Sequence, residues 1–179
     1  MPDERNKLYL YEALELRAEY DARMKTLKDC LPETKQNRNR SFFDRDEKGH
    51  QRPSAAFNVS EVRDQLKALE YKRRKLNSAV QQTNFLHQIE FDGDTITLNE
   101  ALELRKGLNA QLGDLHTQVV DAAYERVIYK EDRDIVEPNA LSYAECVQNL
   151  DRVRVSFRDL NRKLRAASFD VVVDFQDEG

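Results

Sequence analysis

The sequence predicts a mainly α protein: two pseudo-symmetric antiparallel helical hairpins with heptad patterning, and a small antiparallel β element joining their ends. One sign is a repeated phrase, because EALELR occurs at 12–17 and again at 100–105. Another is composition: 35% of the residues are charged and 40% hydrophobic, with five glycines and four prolines. That balance is typical of long amphipathic helices. One amphipathic hairpin cannot cover its own apolar stripe, whereas two hairpins can cover each other.

The first and third predicted helices extend the repeated phrase at a constant offset of 88 residues. Their apolar positions recur with the spacing 3-4-4-3-4, which marks one face of a helix. In the first helix these positions are Ala13, Leu16, Tyr20, Met24, Leu27 and Leu31. In the third helix they are Ala101, Leu104, Leu108, Leu112, Leu115 and Val119.

The second and fourth predicted helices match at an offset of 84 residues and follow a heptad spacing of 4-3-4-3-4-3. The positions in the second helix are Val62, Leu66, Leu69, Arg73, Leu76, Val80 and Thr83. Those in the fourth are Cys146, Leu150, Val153, Phe157, Leu160, Leu164 and Ala167. Both helices begin with a pattern like a capping box, Asn58 with Glu61 and Ser142 with Glu145.

Short strands are predicted at the ends of these helices. Asp92 and Gly93 in HQIEFDGDTITL favour a type I′ hairpin turn, which places Ile89 opposite Ile96. KLYLYEA before the first helix resembles TITLNEA before the third, and FDVVVDF after the fourth helix is the counterpart of HQIEF. A small antiparallel sheet is therefore expected to tie the open ends together. The segment ERVIYKEDRDIVEPNA is expected to contain short extended stretches.

We expect a single domain over 1–179, built from two repeats at about 7–91 and 95–175, with a mobile polar loop at 32–57. The formal net charge of −4 argues against a general nucleic-acid binder. The charged start MPDERNK has no apolar stretch typical of a signal peptide, and no apolar run reaches membrane-spanning length. These features predict a soluble cytoplasmic protein whose two cysteines are reduced.

No motif points to catalysis, and we expect no catalytic, cofactor-binding or metal site. His50, His87 and His116 are scattered, and neither HExxH nor CxxC occurs. Asp92 and Asp94 are explained by turn chemistry. Cys146 lies at a heptad core position, which favours a buried thiol over a nucleophile.

The sharpest charge feature is YKRRK at 71–75, which contains Arg73, Arg74 and Lys75. With the basic residues of the neighbouring loop, it predicts an anion or partner contact; the loop contributes Lys35, Arg38, Arg40, Arg45, Lys48 and Arg52. Phe42 and Phe43 then supply rings that stack on bases or dock a partner. The competing interpretation is a solvated helix face, with the charge diluted by Asp44, Asp46 and Glu47.

Arg73 differs from its neighbours because it occupies the apolar stripe where the second half has Phe157. A charge at such a position needs a partner or a route to solvent. An ion pair that sets the register of the helices is the favoured interpretation, and an anion-binding role is the alternative.

These motifs together resemble the septicolysin-like family of small bacterial proteins. The stretches that carry the resemblance are 12–17, 77–84 and 92–105, and the likeness covers most of the chain. The loop at 32–57 departs from the pattern, being longer and more basic. The resemblance implies a mostly helical protein without an assigned biochemical role, and the family label suggests a cytolysin.

The leading functional hypothesis is an interaction or assembly protein that forms a homo-oligomer or binds a protein partner. It is motivated by apolar side chains off the stripes, such as Leu14, Val120, Tyr124 and Val155, which a lone bundle leaves exposed. The alternative is nucleic-acid or anion binding through the loop at 35–52 and the basic run at 71–75. Further alternatives are an enzyme that uses dispersed acids and a membrane-active cytolysin.

Overall fold

The computed structural model describes residues 7–32, 53–130, 132–137 and 139–177. These residues form four long helices: α1 (Leu10–Cys30), α2 (Val59–Leu86), α3 (Leu98–Ala122) and α4 (Tyr143–Asp170). Six short strands accompany them: β1 (Leu8–Tyr9), β2 (Gln88–Phe91), β3 (Asp94–Thr97), β4 (Arg126–Lys130), β5 (Arg133–Glu137) and β6 (Val172–Val173). The predicted mainly α fold with small β elements is confirmed. Residues 33–52 of the predicted loop at 32–57 lie outside the described residues.

The chain divides into two compact units, with boundaries after Thr83 and after Phe169. The first unit holds β1, α1, most of α2, and β6. The second holds β2, β3, α3, β4, β5 and most of α4. Each unit therefore contains one pair of long helices and the strand pair at the open end of that helix pair.

In the first unit, polar contacts along the two helices show that α1 and α2 run antiparallel. Lys28 Nζ lies 3.2 Å from Glu70 Oε1, and Arg73 Nε lies 2.9 Å from Asp21 Oδ1. Arg17 Nη1 is 3.4 Å from Asn77 Oδ1. From one contact to the next, the residue number decreases along α1 and increases along α2, so the two helices run in opposite directions. The buried side chains between the helices are Ala13, Tyr20, Met24, Leu76 and Val80.

In the second unit, a core cluster forms around Phe91, Ala101 and Leu160, and partly buried apolar side chains pack on it: Ile89, Ile96, Leu108 and Leu164. Ala101 and Leu160 are 0% exposed, as are Ala13 and Leu76 at the equivalent positions of the first unit. The two helix pairs are thus pseudo-symmetric in their cores as well as in their spacing.

The repeated phrase has a structural role at the start of α1 and of α3. The Tyr9 N–H donates to Glu12 Oε2 at 2.8 Å, and the Thr97 N–H donates to Glu100 Oε2 at 2.7 Å. Each glutamate therefore satisfies a backbone donor at the helix start that no turn of the helix can reach. The first glutamate of EALELR is an N-terminal cap in both copies.

The caps predicted for α2 and α4 are also present. Asn58 Oδ1 accepts from the N–H groups of Ser60 and Glu61 at 3.1 and 3.2 Å. The Glu145 N–H donates to Ser142 Oγ at 3.3 Å, and the Ser142 N–H donates to Glu145 Oε2 at 2.9 Å. The second arrangement is a complete capping box.

The strands at the open ends form separate two-stranded pairs, whereas a single small sheet was expected. The pairs β1–β6 and β2–β3 have equivalent registers, with Leu8 opposite Val173 and Ile96 opposite Ile89. The latter pairing and its turn are as predicted, since Asp92 and Gly93 both have positive φ, 53° and 87°. Each of these strands is only two to four residues long and pairs with a single partner.

The predicted extended stretches between α3 and α4 form a β-hairpin. β4 pairs antiparallel with β5, with Val127 opposite Val136 and Ile128 opposite Ile135. Arg126 and Glu137 form an ion pair at 3.3 Å at the open end of this hairpin. Every residue of the two strands is exposed except Ile128, which is partly buried.

The equivalent core positions give a direct test of the pseudo-symmetry. Leu76→Ala and Leu160→Ala each remove a fully buried side chain, so each should lower the free energy of unfolding by about 2–5 kcal/mol. Leu86→Ala, at an exposed position of α2, is the control and should cost about 0.5 kcal/mol or less. Chemical denaturation measures all three. A small loss at one core position with a large loss at the other would show that the two cores are not equivalent.

Candidate functional site

The structure separates the three basic residues that the sequence placed together on α2. Arg73 forms a two-point contact with Asp21 on α1, with Nε 2.9 Å from Oδ1 and Nη2 3.4 Å from Oδ2. The predicted ion pair at this stripe position is therefore present, and its partner belongs to the facing helix. The Arg73 guanidinium therefore already has an acidic partner within the pair of helices α1 and α2.

Arg74 and Lys75 instead lie beside the ring of Tyr71. Arg74 Cζ is 5.4 Å and Lys75 Nζ is 5.5 Å from the ring centroid, which is cation–π geometry. Neither side chain has an ion-pair partner among the residues that the structure describes. The other predicted contact residues, Arg38, Arg40, Phe42 and Phe43, lie outside the described residues, as does the rest of the loop at 35–52.

A cavity of about 630 Å³ opens within the first unit, between α1, α2 and the segment after β6. Its walls are largely apolar, with a few polar groups at one side. The lining residues are Tyr20, Arg23, Thr26, Leu27, Gln65, Ala68, Leu69, Lys72 and Asp177. This combination of apolar walls and a few convergent polar groups is typical of small-molecule sites.

Three polar side chains of this cavity act on one another. Lys72 Nζ lies 3.2 Å from Asp177 Oδ1. The Tyr20 hydroxyl and, after it, Lys72 lower the pKa of Asp177. Burial, and then the Asp177 carboxylate, raises the pKa of Tyr20. The buried hydroxyl has no partner of good hydrogen-bond geometry among the described residues, so Asp177 acts on it as a near neighbour. The Tyr20 ring and the Lys72–Asp177 ion pair therefore form the polar side of the cavity, and the Tyr20 hydroxyl itself is buried.

Sequence reasoning did not find this group. Lys72 and Asp177 are 105 residues apart, and no local pattern links them. Tyr20 was assigned only to the apolar stripe. The sequence gives one sign that Tyr20 differs from a core residue, because the equivalent position of α3 is Leu108.

Within residues 7–32, 53–130, 132–137 and 139–177, no three histidine, cysteine, aspartate or glutamate side chains cluster as metal ligands would. His87 and His116 are exposed, Cys30 is exposed and Cys146 is buried. No helix in the described parts of the chain is both long enough and apolar enough to cross a membrane.

The second unit carries a large exposed apolar surface around β4 and β5. Val127 is 53% exposed, and Ile135 and Val136 are each 47% exposed. Further exposed apolar side chains come from the flanking segments and the helices of this unit: Val120, Tyr124, Tyr129, Leu141, Tyr143 and Val155. Asn139 Nδ2 donates to the Tyr124 carbonyl at 3.0 Å and ties the two ends of the hairpin segment together.

Comparison with known proteins shows the fold alone. No family model and no curated protein matches the chain. Among solved structures, the chain is similar to a conserved protein of unknown function from Corynebacterium diphtheriae, with a TM-score of 0.66 and 21% sequence identity. The match covers 94% of this chain and 100% of that protein's chain.

Tyr20→Phe tests the coupling inside the cavity. Because the Tyr20 hydroxyl is the largest cause of the lowered pKa of Asp177, this change should raise that pKa towards the ordinary aspartate value of about 3.9. Lys72→Gln, which removes a second cause of the lowered pKa of Asp177, should also raise it. Carboxyl chemical shifts followed by NMR across acid pH measure both variants.

The same variant should change acid stability in a defined direction. A lowered pKa in the folded state stabilises the fold above the unfolded-state pKa, and this stabilisation is lost as the pH falls through the folded-state value. Tyr20→Phe should therefore lose less stability on acidification than the wild type does. An unchanged Asp177 pKa in Tyr20→Phe would show that the hydroxyl and the carboxylate do not interact.

Proposed function

We propose that this protein is an assembly protein that self-associates through the exposed apolar surface of its second unit. The observation that supports this is the β4–β5 hairpin, which exposes apolar side chains on both faces. Paired residues of a β-hairpin share a face, so Val127 and Val136 lie on one face and Ile128 and Ile135 on the other. Val127, Val136 and Ile135 are exposed, whereas Ile128 is partly buried.

An isolated two-stranded hairpin is marginally stable in water at best, because it lacks a hydrophobic face packed against a third strand or a helix. Open strand edges with apolar side chains also promote pairing with another chain. A partner that covers this hairpin would remove both costs. The flanking exposed residues Tyr124, Leu141 and Tyr143 enlarge the apolar surface available to that partner.

Self-association gives the expected behaviour of purified protein. The wild type should sediment as a multiple of the 21.0 kDa chain at micromolar concentration and dissociate on dilution. Ile135→Lys replaces a half-exposed apolar side chain of the hairpin with a charge and should shift the protein towards monomer. Sedimentation velocity over a concentration series measures both species.

Tyr71→Lys is the matched control, because it changes an exposed aromatic residue of the first unit to the same side chain. It should leave the association unchanged. A wild type that stays monomeric at every concentration, up to several hundred micromolar, would contradict the proposal.

A second candidate function is anion or nucleic-acid binding, and the placement of Arg74 and Lys75 beside Tyr71 supports it. Their charges are not used by ion pairs among the described residues, and an aromatic ring next to two cations suits a base and its phosphate. The negative net charge of the whole chain weighs against it. For this reason we rank it below self-association.

Retention on immobilised heparin and single-stranded nucleic acid tests this candidate. Arg74→Ala combined with Lys75→Ala should weaken retention and reduce the salt-dependence slope by about two, since each lost phosphate contact removes about one unit. Arg63→Ala combined with Lys67→Ala removes the same charge elsewhere on α2 and serves as the control. Wild-type protein that passes through at low salt would remove the candidate.

The septicolysin-like resemblance stays a prediction that rests on the motifs at 12–17, 77–84 and 92–105. The cytolysin activity implied by the family label has a simple test in the release of dye from liposomes. Intact liposomes after incubation with the protein would leave that activity without support.

A further inference from the structure

We infer that the hairpin pairs with a second copy of this chain, joined antiparallel along the outer edge of β5 with Ile135 on the twofold axis. This inference rests on the proposed self-association and names its surface and register. It follows from the backbone pattern of β5 and from the charges along it.

The register of the hairpin determines which backbone groups of β5 are available. Hydrogen-bonded and non-hydrogen-bonded pairs alternate in an antiparallel ladder, and a two-residue loop is closed by a hydrogen-bonded pair. Lys130 and Arg133 are that closing pair. Ile135 and Glu137 therefore also direct their backbone groups towards β4, whereas Asp134 and Val136 direct theirs to the open edge.

Two β5 edges that pair antiparallel about Ile135 satisfy those open groups. Asp134 then lies opposite Val136 of the second copy, and both present outward N–H and C=O groups, so they exchange hydrogen bonds. The twofold axis repeats this pair on the other side of Ile135. The two Ile135 side chains meet at the axis in a non-hydrogen-bonded pair, where side chains approach most closely.

The charges favour this register over its neighbours. Arg133 lies opposite Glu137 of the second copy, and the symmetry provides the same contact twice. Arg133 has no ion-pair partner among the described residues, while Glu137 is already held at 3.3 Å by Arg126 on the same face. Centring the pair on Asp134 would oppose two carboxylates, and centring it on Val136 would leave Arg133 and Glu137 without opposite charges.

The equivalent register at the β4 edge is unsuitable for the same reason. Pairing of two β4 strands about Ile128 puts Arg126 opposite Lys130 of the second copy, which places like charges face to face. Pairing of β5 with β4 of a second copy in the register of the hairpin itself puts Arg133 opposite Lys130. It also leaves a β5 edge at one end and a β4 edge at the other, and these can pair again. Such a head-to-tail contact continues into a chain of copies, whereas the β5 contact closes as a dimer. The result is a four-stranded sheet in which β4 is the outer strand.

A disulfide trap tests the axis. In a Cys30→Ser background, Ile135→Cys should form a covalent dimer on mild oxidation, because directly opposed residues lie within disulfide reach. Cys146 is buried and stays in place. Ile128→Cys is the matched control on β4, since the β4 strands of the dimer lie about 14 Å apart, three strand spacings, and cannot be bridged. A non-reducing gel separates the covalent dimer from the 21.0 kDa chain.

Charge exchange tests the register independently. Arg133→Glu and Glu137→Arg should each raise the dimer dissociation constant about tenfold, because each places like charges opposite one another at both ends. An equimolar mixture of the two variants should recover dimerisation, since one copy then carries two acids opposite two arginines. Lys106→Glu, on α3 of the same unit, is the control and should dimerise like the wild type.

The outcomes separate this inference from the proposed function. A wild type that is monomeric at all concentrations overturns both. A wild-type dimer in which Ile135→Cys fails to cross-link and the mixed variants fail to recover overturns the β5 edge but leaves self-association standing. Cross-linking of Ile128→Cys in preference to Ile135→Cys overturns the β5 edge in favour of β4. Cross-linking at Ile135 together with recovery in the mixture supports the register.

Discussion

At each open end of the structure, the first N–H group of a helix donates to a carbonyl that precedes the neighbouring strand. The Leu10 N–H donates to the Val171 carbonyl at 2.8 Å, and the Leu98 N–H donates to the His87 carbonyl at 2.9 Å. These bonds join α1 to the segment entering β6, and α3 to the segment entering β2. They fix where each leading helix begins relative to the outer strand of its strand pair. For α1 that strand comes from the far end of the sequence, and for α3 it is the neighbouring strand of the β2–β3 hairpin. The glutamate caps and the buried alanine–leucine positions follow within the next turns, so this junction sets the register of each core.

Away from the junction the two units diverge. In the second unit the far half of the helix pair buries Leu115, Cys146 and Leu150, whereas their counterparts Leu27, Val62 and Leu66 are only partly buried. The first unit has its cavity in this region, lined by Leu27 and Leu69. Two polar substitutions accompany the difference: Tyr20 replaces a leucine and Arg73 replaces a phenylalanine. The same scaffold thus gives a packed core in one unit and a cavity in the other.

The sequence predicted those parts of the fold that depend on local or periodic patterns. The stripes of α1 and α3, the caps at Asn58 and Ser142, and the turn at Asp92 and Gly93 each need only a few neighbouring residues. The type of contact made by Arg73 was also predictable, because a charge on an apolar stripe needs a partner. Its partner Asp21 was not, since helix packing decides which acid lies opposite.

The candidate sites were less accessible from sequence. The group formed by Tyr20, Lys72 and Asp177 depends on the chain segment after β6 returning to α1 and α2, and periodicity carries no information on that return. The exposure of the β4–β5 hairpin could not be predicted from the sequence, for a related reason. A run such as RVIYK predicts a strand, but alternation of side chains does not tell whether any other element will cover it.

The equivalent registers of β1–β6 and β2–β3 have a consequence for chain order. The two strand pairs differ chiefly in connection: Asp92 and Gly93 link β2 directly to β3, whereas β1 and β6 are linked through the rest of the chain. A short turn placed between β6 and β1 would supply the same link there, and the chain could then be opened at Asp92 and Gly93. The polypeptide would follow the same path through the helices and strand pairs with its ends relocated, and only the segment after β6, which carries Asp177, would lose its contacts. A circular permutant that begins at Gly93 and carries a new turn between β6 and β1 should therefore keep the fold.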